Sequence, residues 1–148
     1  MRASILWVAL SLALPALAAD VGLIKVSNGS VEIQRSGAKI KAEVGTAVQV
    51  SDVLRTGPDG SAGITFSDNS LVSIGPNTVF EIEKYQFDST TYAGEFQGSL
   101  KQGKLAAISG KMVKQSPEAM KIRTPSAVMG VRGTEFVVQV DEPGAASR

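Results

Sequence analysis

Residues 61–66 read Ser-Ala-Gly-Ile-Thr-Phe, so Ala62, Ile64 and Phe66 face one way and small or polar neighbours face the other. That period of two predicts a half-buried strand. The run LVSI (71–74) follows the turn sequence SDNS, and TVFEIE (78–83) follows GPNT, with Phe80 and Ile82 on one face. Upstream, VGLIKVSNGSVEIQRSG (21–37) has the pattern of a hairpin that turns at SNGS. Residues 99–108 and 134–140 add further apolar runs. Only SPEAMK (116–121) reads as a helical turn, with Ser116 as its cap and Pro117 at the first helical position.

Turn sequences at 57–60, 67–70 and 75–78 recur at intervals of about eight to ten residues, which suits short rungs of strand. A rung that short cannot bury its apolar face alone and needs its neighbours. The expected fold is all-β, either a short β-solenoid-like coil or a rolled β-sandwich, with one helical turn near 116–121.

The first eighteen residues stand apart. Arg2 supplies a positive start, Ile5 to Leu14 is almost wholly apolar, and Ala16-Leu17-Ala18 is a small-residue cleavage box. The apolar run is well short of the ~20 residues of a spanning helix. No cysteine follows it to carry a lipid anchor. The expected organisation is a cleavable signal peptide over 1–18, a β domain over 19–141 and a short flexible tail over 142–148. The product is expected to be soluble in the periplasm or outside the cell, with no membrane span after cleavage.

Without Arg2 the basic and acidic side chains balance, which argues against nucleic acid as a partner. The chain has no cysteine, so packing and backbone ladders must hold the fold in an oxidising compartment. It has no histidine either, which removes Ser-His-Asp and Cys-His relays, thiolate nucleophiles and ordinary zinc sites. Asp52, Asp59, Asp68 and Asp88 are catalytic candidates by residue type alone. Settings such as GPDG and SDNS are turn sequences in which Asp bonds the local backbone. No calcium-loop pattern is present. No catalytic residue, metal or cofactor is expected.

VLRTGPDGSAGITFSDNSLVSIGPNTVFEI (53–82), followed by IRTPSAVMGVRGTEFVVQV (122–140), resembles the periplasmic FecR-type domain. The likeness runs over roughly residues 21–140. It implies an all-β fold with a solenoid-like or rolled core, and a role in binding and signalling rather than catalysis. The best-known regulators of that type combine a cytoplasmic segment that contacts a sigma factor, a membrane helix and this domain. Here a cleavable leader stands in place of the first two, and the chain stops at DEPGAASR soon after the second motif. The resemblance is therefore expected to carry over the module and not the iron-uptake role.

Two segments hold the candidate functional residues. In the second motif Thr124-Pro125 opens an edge or a rung, because proline cannot donate to a central ladder. Gly130 would admit a close neighbour or relieve a bend, and Gly133 would permit a positive φ or a bulge. Thr134 then re-enters a strand in which Phe136, Val138 and Val140 share a face. Arg132, with five donors in a planar fork, suits capping bare carbonyls, holding Glu135 or binding an anionic partner. The second segment carries Lys101, Lys104, Lys111 and Lys114 with no acid between Phe96 and Pro117, and Lys121 and Arg123 soon after. It reads as a solvated rim that protects strand edges, or as a basic patch for an anionic glycan, a lipid surface or an acidic protein. Tyr85, Phe87, Tyr92 and Phe96 read as strand packing or a cover over one end of the core.

Two functions follow. One is a non-enzymatic periplasmic adaptor that presents a β-surface to a protein partner in envelope signalling or assembly. The other is a binder of envelope glycan or polyanion through residues 101–123. N-terminal sequencing of the exported protein is expected to begin at Ala19. Met1 retained in a membrane fraction would contradict the leader.

Overall fold

The structure, a computed structural model, describes residues 19–132 and 135–141. These form β1 (Asp20–Asn28), β2 (Val31–Arg35), β3 (Ala38–Lys41), β4 (Ala47–Gln49), β5 (Val53–Thr56), β6 (Ser61–Phe66) and β7 (Leu71–Ile74). There follow β8 (Val79–Phe87), β9 (Gly94–Ile108), α1 (Lys111–Gln115), β10 (Met120–Arg123), β11 (Val128–Gly130) and β12 (Glu135–Val140). The chain is all-β and rolled, as expected, with one short helix among the described residues.

Two sheets share one strand. Sheet I runs β4-β1-β6-β7-β9-β12, and sheet II runs β3-β2-β5-β8-β9-β10-β11. The first half of β9 pairs with β8 and β10 in sheet II, and residues from Gly103 onward pair with β7 and β12 in sheet I. The strand bends at Gly103, whose φ is +94°, a conformation that disfavours any side chain with a Cβ. A Cβ there would also lie inside van der Waals contact with Thr78. The groups freed by the bend find partners at this corner. Lys104 N–H donates to Thr78 Oγ1 (3.1 Å), Thr78 N–H donates to Thr56 Oγ1 (2.9 Å), and Thr56 Oγ1–H donates to Gly75 O (2.6 Å).

The inner faces of both sheets pack as one core. Ile24, Ile64, Phe66, Val72, Ile74 and Leu105 come from sheet I, and Ile33, Leu54, Phe80, Ile82, Phe96 and Leu100 from sheet II. Phe66, Tyr85 and Phe96 meet across the sheets with ring centroids 4.8–5.5 Å apart. Phe87 and Tyr92 stack separately at the rim. A half-buried ion pair also ties the two sheets together. Arg35 grips Asp52 through Nε and Nη2, both at 2.8 Å, and Nη2 also donates to Ala47 O (3.0 Å). Asp52 is fully buried and also accepts Gln49 N–H (2.8 Å).

Two expectations need correction. SNGS does not close a hairpin, because β1 pairs with β4 and β6 while β2 pairs with β3 and β5. Gly29, at φ +62°, instead carries the chain from sheet I to sheet II, and Ser30 N–H meets Asp59 Oδ1 at 3.3 Å. The GPNT turn makes the same crossing between β7 and β8. The helix is Lys111–Gln115, not 116–121. Met120 and Ile122 are buried alternately in β10, which runs parallel to β9, so strand pairing overrides the Ser-Pro start signal.

Gly103→Ala is expected to cost about 3 kcal/mol or more in urea unfolding, because it combines a disfavoured φ with a clash. Gly130, whose added Cβ would meet nothing within 4 Å, should tolerate alanine to within about 0.5 kcal/mol. Equal midpoint shifts for the two variants would contradict the corner.

Candidate functional site

The outward faces of the two sheets differ in chemistry. On sheet II, Lys101 meets Glu81 (3.1 Å), Lys84 meets Glu95 (2.9 Å), and Arg123 Nε lies 3.8 Å from Glu83. Gln97 also donates to Glu83 (2.6 Å). These three ion pairs are solvent-accessible and each is weak in water, and exposed Arg55 and Lys121 add further charge to the face.

Sheet I carries fewer charges, chiefly Lys25 beside Leu23 and Thr65 and Lys104 opposite Gln139. Register places Leu23, Thr65, Leu71 and Ile108 in one row across β1, β6, β7 and β9. A second row runs Val26, Gly63, Ser73, Ala106 and Val137, reaching β12. Neither row contains a charge until Glu135, which pairs with Ile108 at the edge. Leu23 is 39% exposed, Val26 51%, Leu71 41%, Ile108 45% and Val137 55%. These five large apolar side chains stand on one face, with Thr65, Gly63, Ser73 and Ala106 in register between them.

The sequence holds a signal for this face that alternation alone does not report. Two strands of sheet II alternate strictly, Val31-Glu32-Ile33-Gln34 in β2 and Met120-Lys121-Ile122-Arg123 in β10. Several strands of sheet I, though not β6, are apolar at consecutive positions, as in Leu71-Val72, Leu105-Ala106-Ala107-Ile108 and Phe136-Val137-Val138. A strand apolar on both parities has two faces that avoid water.

The six cations of the lysine-rich segment are not gathered into one patch. Lys101, Lys121 and Arg123 lie on the charged face of sheet II, among Glu81, Glu83 and Glu95. Lys104 lies past the corner opposite Gln139 on sheet I. Lys111 and Lys114 are on α1, and Lys111 Nζ stands 5.2 Å from the Tyr92 ring centroid.

The second motif also differs from expectation. Thr124-Pro125 belongs to the turn between β10 and β11, where Thr124 N–H and Ala127 O bond at 2.8 Å. Gly130 has no close neighbour and a negative φ, so it admits no tight approach. Arg132 is exposed and donates to Glu118 Oε1 (2.8 Å), and among the described residues it makes no bond to a buried carbonyl or to Glu135. It lines an open hollow with Lys121, Glu95 and Glu118, two cations against two anions. Phe136, Val138 and Val140 do share the inner face of β12. Gly133 and Thr134 lie outside the described residues.

The four aspartates have structural partners. Asp68 is buried and accepts from Ser70 N–H, Ser70 Oγ–H and Tyr85 Oη–H at 2.7–3.1 Å. Backbone N–H groups of Thr91 and Thr90 hold the Asp88 carboxyl below its usual range. Burial, with Asp68 nearby, pushes the Tyr85 hydroxyl up. A hydrogen bond from Lys84 holds Glu95 down. These three shifts each move the group away from neutral pH. Among the described residues no group of three metal-ligating side chains comes together.

A protein-family model described as FecR protein matches residues 52–148, from just before β5 onward. No curated protein and no solved structure matches the chain. Because the Arg132–Glu118 pair is exposed on both sides, Arg132→Ala is expected to shift unfolding free energy by less than about 0.5 kcal/mol. A loss near 2 kcal/mol in urea would mean that Arg132 caps buried groups after all.

Proposed function

The chain belongs to the FecR protein family, and from that premise we propose that it is a non-enzymatic binding module of the periplasm that docks a protein partner on the outer face of sheet I. The family is known for signalling at the cell envelope and is not typically enzymatic. Its domains are periplasmic in the family context, and among the described residues no helix is long and apolar enough to cross a membrane.

The observation that supports this reading is the pair of uncharged rows across sheet I, ending at Val137. Apolar side chains there lose water-exposed area on docking, at roughly 25 cal/mol per Å². Its two rows carry no charge before Glu135, and with only Lys25 and Lys104 beside them the face suits another protein surface better than an ion or a sugar. On sheet II the cations Lys84, Lys101 and Arg123 already face carboxylates, which lowers the charge they offer a polyanion, while Arg55 and Lys121 stand exposed beside them.

A pull-down from envelope extract tests the reading. Val26→Glu combined with Leu71→Glu is expected to release the captured partner, while glutamine at Lys101, Lys104, Lys111 and Lys114 leaves capture intact and insensitive to salt. The polyanion alternative requires the reverse, with binding that fades steeply as salt rises and disappears with the four glutamines.

A further inference from the structure

We propose that the chain pairs with a second copy of itself through the free edge of β12, joining two copies of sheet I into one continuous sheet. This inference rests on the edge of the sheet and not on the identity of any partner for its face.

The sheet edges are treated unequally. β4 and β11 are three residues each, too short to template much pairing. β3 has four residues and carries exposed Lys39 and Lys41, charges that discourage another strand from adding. β12 has six residues, no lysine and no proline, and among the described residues it pairs only with β9. Its sequence, Glu-Phe-Val-Val-Gln-Val, is the kind that natural edges usually interrupt. The edge also continues an exposed apolar row, because Val137 ends the row that begins at Val26.

Face and charge select the second copy and its register. Two antiparallel copies of β12 must keep like faces together, so a residue can oppose only residues of its own parity. The two-fold axis then passes beside a single residue. Centred on Val138, the pairing sets Glu135 against Asp141 twice, carboxylate facing carboxylate. Centred on Val137, it sets Val137 against Val137, Phe136 against Val138, and Glu135 against Gln139, an acceptor facing an amide donor. Only the second register opposes no like charges while using most of the strand. It is isologous, so each copy supplies the same patch and the pair closes without growing into a fibre. An axis perpendicular to the sheet leaves both apolar faces on the same side.

Sedimentation at tens of micromolar and disulfide trapping test this together. The wild-type chain is expected to show a concentration-dependent doubling of mass. Val137→Lys, at an exposed position and therefore compatible with folding, should weaken association at least tenfold by facing ammonium against ammonium. Mixing Val137→Lys with Val137→Glu should restore the pair, and Leu71→Lys, on the face but off the edge, should leave it intact. Because the chain has no cysteine, Val137→Cys introduces a lone thiol that should oxidise to a disulfide-linked dimer, whereas Leu71→Cys should not. A wild-type chain that stays monomeric overturns the proposal. So does association untouched by Val137→Lys, or association lost with Leu71→Lys, which would place the contact on the face.

Discussion

The bend of β9 at Gly103 is the constraint on which the rest depends. One strand of fifteen residues serves two sheets, and the residue at the bend sits at φ +94° against Thr78. No other residue type meets both demands without strain. Thr78 and Thr56 then bond the backbone groups that a broken ladder would leave bare, so the corner costs geometry but not hydrogen bonds. Because β7 and β12 hang on one half and β8 and β10 on the other, the two inner faces are turned toward each other and close one core.

The same bend turns the outer faces away from each other, which lets them differ. The face of sheet II is charged, and a partner that lands on Lys84, Lys101 or Arg123 would have to compete with carboxylates already paired there. The face of sheet I has no such network. Elsewhere, the Arg35–Asp52 pair holds β2 near β4. Its carboxylate is fully buried, so removal of the guanidinium alone would strand a charge. Corner and ion pair together fix the angle between sheets and so fix which surface each strand shows to water.

Strands with strict alternation were legible in the sequence. Ala62, Ile64 and Phe66 are buried as their period of two requires, as are Phe80 and Ile82. Strand pairing was less legible, because an Asn-Gly turn fixes a local reversal but not which sheet each arm joins. The helix gave no start signal, since Gly110 makes no side-chain cap and the first turn carries no acid. Gly103 lies in Lys-Gln-Gly-Lys, a stretch that reads as a loop as readily as a bent strand. The apolar face was present in the sequence as consecutive apolar positions, but a strand apolar on both parities is passed over by any search for alternation. The lysine-rich segment looked unified because its acids, Glu81, Glu83 and Glu95, are distant in sequence or just outside it and close only in space.

Native-state hydrogen exchange along β9, followed as denaturant is raised, tests the shared strand most directly. If both sheets depend on one bent strand, the amides of Leu100 and Leu105 should report the same opening free energy and the same denaturant dependence, because neither sheet survives the loss of β9. Two separate openings, with the half before Gly103 exchanging independently of the half after it, would contradict the account.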